Sequence, residues 1–186
     1  MLENEYNIEL RTQENPKLKI VGLKRKYEDA DELIGDLNIL NSKLVTKSDK
    51  MVIKFARQSR YSRKWTIFVE TSGTTYKKLI NQKLDIGWGY CHVYEDLNIK
   101  KCFKCCNYGH KTTECKNEQI CSLCAGKHDR KNCTSKEKIC VNCSHVKNKY
   151  DATRQTDHDS NTEECPIMAN KIRIARERVN YEAILA

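Results

Sequence analysis

Ten of the chain's eleven cysteines fall between Cys102 and Cys165, and most of them sit in pairs separated by two residues. That arrangement limits the folds open to this half of the chain more than anything else in the sequence. Apolar residues make up 39% of the whole and mean hydropathy is −0.76, low for 186 residues built on one continuous core. Something besides hydrophobic burial must organise part of the molecule. The start, MLENEYNIELRTQ, is charged throughout and resembles no signal peptide. No apolar run reaches the length of a membrane span. The expected setting is therefore intracellular and reducing, cytoplasmic or nuclear, with no membrane partner. There, paired cysteines are more often metal ligands than disulfides.

Cys102, Cys105, His110 and Cys115 read C-x2-C-x4-H-x4-C. Two cysteines flanking a tight turn can put both sulfurs on one Zn²⁺, and the loop that follows returns an imidazole and a third sulfur to close a tetrahedron. So short a segment cannot bury enough surface to fold alone. Metal binding supplies the folding free energy, on the order of 10–16 kcal/mol in small zinc peptides. Gly109, just before the histidine, suits a position that needs a permissive backbone. Cys121, Cys124, His128 and Cys133 repeat the pattern as C-x2-C-x3-H-x4-C, with Gly126 inside. Cys140 and Cys143 begin a third, less regular set, completed in this reading by His158 and Cys165 across the loop SHVKNKYDATRQTD. His145 lies too close to Cys143 to be the obvious third ligand; the alternative is that this pair stays bare or recruits another partner. Two or three zinc ions are expected. Cys91 is expected to be a small buried hydrophobe. Cys106 directly follows a ligand and is expected on the knuckle surface or as a competing ligand.

Lysine and arginine total 34 against 25 acidic residues, a formal charge of +9. Each three-thiolate site with its ion contributes −1, so three filled sites leave about +6. A basic chain suits polyanions, though charge alone does not separate nucleic acid from an anionic surface.

The rest of the chain divides around the cysteine cluster. Residues 1–16 read as a disordered tail or the remnant of a preceding domain. Residues 17–98 read as an α+β domain of βαββαβ order. Lys17 to Leu23 is a short apolar strand ended by a glycine. Asp29 or Asp31 caps a helix with Leu33, Ile34, Leu37 and Leu40 on one face. Met51 to Arg57 alternates, with Met51, Ile53 and Phe55 on one side. Lys64 to Glu70 is rich in β-formers. Ser72 caps a second helix with Tyr76, Leu79 and Ile80, and Trp88 to Tyr94 is the last strand. Two such halves make a ferredoxin-like, RNA-recognition-like sandwich with four strands. RNA-recognition domains stack bases on aromatics of the central strands. RKWTIFVET lacks the glycine of that motif and KIVGL has no aromatic, so Trp65 and Phe68 are read as packed. The zinc knuckles occupy 100–116, 119–134 and 138–166. Residues 167–186 read as a basic amphipathic helix, with Met168, Ile172, Ala175 and Val179 at helical spacing.

CFKCCNYGHKTTEC, CSLCAGKHDRKNC and CVNC...DHDSNTEECP together resemble the triple CCHC array of Gag-like proteins from arthropod non-LTR retrotransposons of the jockey-like group, and the stretch from KLKIVGL to LDIGWGYCHVYEDLNIKKCFKC is similar to the domain that precedes it there. The likeness covers roughly Lys17 to Tyr181. It implies a protein that coats element RNA, forms a ribonucleoprotein and acts as a nucleic-acid chaperone. Family members usually have a longer N-terminal region. Cys106 stands where retroviral-type knuckles commonly carry glycine, and the third loop is long.

Knuckles bind single strands by stacking unpaired bases on exposed rings while cations follow the phosphates. Phe103 is the first stacking candidate and Tyr108 the second. The second knuckle has no aromatic, only Leu123, so it should contribute phosphate contacts. Lys101, Lys104, Lys111, Lys127, Arg130 and Lys131 are the cations nearest the ligands. Between Lys100 and Lys149 twelve basic residues face four acidic ones. Single-stranded RNA is the expected partner, with DNA and self-association open. A protein-assembly module and a host RNA-processing protein are the other readings. No carboxylate pair, Ser-His-Asp set or phosphate-cradling glycine loop points to an enzyme or a small-molecule substrate, and a zinc with four protein ligands has no open position for water.

Overall fold

In the computed structural model, residues 13–150 and 153–182 are described. The chain forms two compact units, one of residues up to Asp96 together with the segment from Arg178 onward, the other from Leu97 to Glu177. The described residues are α+β, with a five-stranded antiparallel sheet and four α-helices.

Unit 1 begins its sheet with β1 (Lys17–Leu23). Its alternating Leu18 and Ile20, with Leu23 beyond the bulge at Gly22, are fully buried. Helix α1 (Ala30–Leu40) starts where the Asp29 carboxylate accepts from the Asp31 amide, satisfying one of the donors that a helix start leaves free. Leu33, Ile34 and Leu37 enter the core, but Leu40 does not; it is the last helical residue and is exposed. Strands β2 (Met51–Gln58) and β3 (Trp65–Thr71) form a hairpin. Helix α2 (Gly73–Leu79) is capped by the Ser72 hydroxyl accepting from Thr75 N–H. Strands β4 (Lys83–Ile86) and β5 (Gly89–Glu95) pair across Gly87, which has φ +53°.

The sheet order is β2-β3-β1-β5-β4. The sequence reading expects four strands; β4 is the fifth. It is four residues long with a single buried apolar residue, Leu84, too little pattern to register as a strand. Asn41 at the end of α1 holds it, its side-chain amide donating to the Asp85 carbonyl and its oxygen accepting from the Asp85 N–H. A second departure lies in β2. The register slips between Ile53 and Phe55, and a bulge of one residue reverses which face the following side chains occupy. Met51 is buried, but Phe55 emerges on the opposite face and is exposed, stacked on Phe68 with centroids 4.2 Å apart.

Both helices cover one face of the sheet, because Leu33, Leu37, Tyr76 and Leu79 share a single core with Leu18, Ile20, Ile67, Val69, Leu84 and Val93. Cys91 is part of that core, as expected, and burial pushes its thiol up to about 11. Among the described residues of this unit, Asp49 is the buried charge. Thr46 N–H, the Thr75 hydroxyl and Lys78 Nζ all reach its carboxylate. Burial opposes its ionisation, but these contacts outweigh burial and hold the pKa below the ordinary value.

The expected tail ends differently from the reading. Residues 1–12 lie outside the described residues, but Glu14 exchanges backbone hydrogen bonds with Arg178 and Asn180, and the Pro16 carbonyl accepts from Thr71 N–H. The expected C-terminal helix is also shorter. In unit 2, α4 spans Pro166–Glu177. Val179 lies beyond it, bridged to Glu14 in unit 1. Tyr181 follows, with its ring 5.0 Å from Tyr76 and its hydroxyl donating to Glu95 Oε1. Gly73 is needed there: a Cβ would lie 1.8 Å from the Tyr181 carbonyl oxygen.

Unit 2 consists mainly of turns. Its regular elements are two short 3₁₀ turns (Thr112–Glu114 and Arg130–Asn132), α3 (Val141–Tyr150) and α4. Helix α3 takes up the first half of the expected third loop. Its VNCSHVKNKY has almost no apolar periodicity, so only the Cys140–Cys143 turn that starts it leaves a trace in the sequence.

Candidate metal centres

The twelve candidate ligands gather into three groups: Cys102, Cys105, His110 and Cys115; Cys121, Cys124, His128 and Cys133; Cys140, Cys143, His158 and Cys165. In each group the four ligand atoms lie within 4.8 Å of one another. The separations fit zinc. Bonds of about 2.3 Å to sulfur and 2.0–2.1 Å to nitrogen at tetrahedral angles place sulfurs about 3.8 Å apart and sulfur about 3.5 Å from nitrogen. Cys124 and Cys133 sulfurs are 3.6 Å apart, and Cys165 Sγ is 3.7 Å from both Cys140 and Cys143. Each histidine turns Nε2 inward: His110 to Cys105 at 3.4 Å, His128 to Cys124 at 3.5 Å, and His158 to Cys143 at 3.5 Å. All eleven cysteines are free of disulfides. His145 lies on α3, exposed and outside the third group.

Local backbone explains the convergence. In the first two groups the chain turns back immediately after the second cysteine, at Cys106 (φ +62°) and Ala125 (φ +60°). The amide of Ala125 donates to the Cys121 carbonyl. The amides inside each turn point at the first sulfur. For Cys102, burial opposes ionisation, but the amides of Cys105 and Lys104 outweigh it and draw the thiol down to about 6. Cys121 is lowered by the same contacts from Cys124 and Leu123. The third group differs. Its Cys-x-x-Cys turn runs on into α3, where Ser144 N–H donates to the Cys140 carbonyl. Burial, then the neighbouring Cys165 and Cys140 sulfurs, push Cys143 up to about 12. A divalent cation between three such sulfurs would remove that penalty, because metal-bound thiols are deprotonated.

Cys106 is the one cysteine of the array outside the three groups. The sequence reading allows it a surface place; instead it is buried. Its Sγ faces the Ile120 carbonyl at 3.6 Å, and its own carbonyl accepts from Asn142 Nδ2. It thus sits where the three segments meet. Ile120 N–H donates to the Lys104 carbonyl, Ile139 N–H to the Leu123 carbonyl, and Ser160 N–H to the Ser122 carbonyl. Arg130 reaches both Ser122 and Asp159. These non-local contacts leave no spacing signature, and the sequence reading treats the knuckles as separate beads.

The expected nucleic-acid contacts fall into two sets. Phe103 is 73% exposed beside the first group. Lys111 and Lys131 are exposed, and Lys127 is exposed with Glu118 as its ion-pair partner at 2.7 Å. Lys104 is half-buried. The others are engaged within the fold. Tyr108 is half-buried, its hydroxyl against Met168 Sδ at 3.4 Å. Lys101 Nζ donates to the Ser160 carbonyl, and Arg130 pairs with Asp159.

No protein-family model, curated protein or solved structure matches the chain. Among the described residues, no helix is long and apolar enough to cross a membrane.

Proposed function

We propose that unit 2 is a three-zinc module that binds single-stranded nucleic acid, RNA foremost. One observation carries this reading: three Cys₃His groups whose ligand atoms lie within 4.8 Å of one another, with Phe103 exposed beside the first and a lysine-rich surface around them. Zinc would serve as scaffold, since four protein ligands per ion leave no position for a reacting water; no catalysis is proposed. Phe103 offers a ring to an unpaired base. Lys111, Lys127 and Lys131 supply cations to the phosphates. The likeness of the array to Gag-like proteins extends the proposal to coating of element RNA, ribonucleoprotein formation and chaperoning inside the cell. We further read unit 1 as ferredoxin-like with one added edge strand, since without β4 the order is β2-β3-β1-β5.

Gel shift with labelled RNA oligonucleotides, with and without chelator, tests the proposal. Metal removal should weaken binding. Phe103→Ala should weaken it about five- to hundredfold, the effect of about 1–3 kcal/mol per stacked base, and should keep all its zinc. With about four phosphates neutralised, log affinity should fall against log salt with a slope near −3. A chain that binds RNA equally well after metal removal would overturn the reading. Zinc-dependent self-association without RNA affinity would favour a protein-assembly module.

A further inference from the structure

We propose that the open face of the unit 1 sheet is a second seat for single-stranded nucleic acid, independent of zinc. The helices cover only the other face. Strand register sets the side chains of this face in rows, with Phe55, Arg57, Lys83, Tyr90 and Tyr94 exposed and Phe68, Lys19, Val21, Thr66 and His92 half-buried. Phe55 lies opposite Phe68, Phe68 opposite Lys19, and Lys19 opposite Tyr94. The neighbouring row runs Arg57, Thr66, Val21, His92, Lys83 across all five strands. Tyr90 continues the file of rings on β5, with its centroid 5.3 Å from His92, which is 6.0 Å from Tyr94. Phe55, Tyr90 and Tyr94 are 54%, 47% and 43% exposed.

Charge selects the occupant. Lys83 Nζ lies 3.9 Å from the Tyr90 centroid, Lys19 Nζ 5.8 Å from that of Tyr94, and the Arg57 guanidinium 5.8 Å from that of Phe68. Glu70 on the same face is already held by Asn15 and Lys54, which leaves Asp85 as the other acid of these rows. Rings interleaved with cations suit an unpaired strand, whose bases stack while its phosphates meet lysine and arginine. They suit a protein partner poorly, because protein interface cores are depleted in lysine. A duplex offers no free base faces. At the start of β5, Tyr90 also lines a recess of ≈ 200 Å³ with Lys24, Lys64, Ile86 and Trp88.

Unit 1 contains none of the twelve metal ligands, so this seat shares only its class of ligand with the function proposed above. The test uses the full zinc-loaded chain and a thiouridine-containing oligouridylate. Photo-crosslinked peptides are mapped, and affinities are measured for wild type, for Phe55→Ala with Tyr94→Ala, and for Phe103→Ala. Crosslinks should appear within 51–58, 65–71 or 89–95 as well as near Phe103. The double variant should bind about five- to hundredfold more weakly, and Phe55→Tyr with Tyr94→Phe should restore affinity. Both rings are exposed, so the fold should survive; if it does not, the wild-type crosslink map decides. Crosslinks confined to 100–165 would overturn the proposal. So would an unchanged affinity of the double variant, including the case in which sedimentation shows it has lost self-association. If Phe103→Ala and chelation leave affinity intact while the face variants weaken it, the zinc-module reading fails and this one stands.

Discussion

The two units are held together by different means. Unit 1 packs sixteen buried apolar residues into one cluster. In unit 2, among the described residues, every buried side chain of the apolar class is a cysteine. Six of those seven are candidate ligands and the seventh, Cys106, seals the junction. The first unit is an ordinary hydrophobic domain, with its sites added on the surface. In the second, the chemistry that would bind metal is also what would make the fold, so site and core cannot be separated.

Metal removal should break this contrast most severely. Native mass spectrometry of the loaded chain should count three ions. Chelation should collapse the amide NMR signals of Leu97–Glu177 and leave those of the sheet dispersed, since each structural zinc contributes on the order of 10–16 kcal/mol. The reciprocal change is Leu37→Ala, a fully buried residue. It should cost unit 1 about 2–5 kcal/mol in denaturant unfolding without altering zinc stoichiometry.

Asp49→Asn sharpens the comparison, because it removes a buried charge from the unit that otherwise depends on apolar packing. It leaves Lys78 and its other donors poorly matched and should cost about 1–3 kcal/mol. The folded state holds this carboxyl below its ordinary pKa. Its contribution is therefore complete above the unfolded-state value of about 4 and is lost as pH falls through the folded value. Acid unfolding of wild type should show this loss and the variant should not. The smallest expected effect is Arg130→Ala. With its side chain half exposed, the pair with Asp159 should contribute under about 1 kcal/mol. Its loss should loosen the second segment against the third, read as faster amide exchange at Ser160, without releasing an ion.

Legibility differs between the units as well. The ligand sets could be read because metal chemistry writes itself into short spacings, and even the irregular third group closes on His158. Strand β1 and the caps at Asp29 and Ser72 were legible from local pattern. What stayed hidden is non-local or too brief to carry a period. The β2 bulge changes the face of Phe55 without changing composition, so the aromatic rows of the open face cannot be seen by alternation alone. Strand β4 has one core residue. Tyr108, Lys101 and Arg130 look like free ligand contacts until Met168, Ser160 and Asp159 are brought to them from about 30 to 60 residues away.

The polypeptide leaves unit 1 after Asp96 and re-enters it at Arg178, where Tyr181 docks over Gly73. Topologically, everything between is one inserted loop. With its sites ligated, that insert would lose much of its conformational freedom; stripped, it would become a long slack tether whose closure entropy opposes the return, with a cost that grows as about 1.5RT times the logarithm of its length. Tyr181 should then fray from its seat although nothing in that seat binds metal, so zinc supply would be felt in the hydrophobic unit through connectivity alone.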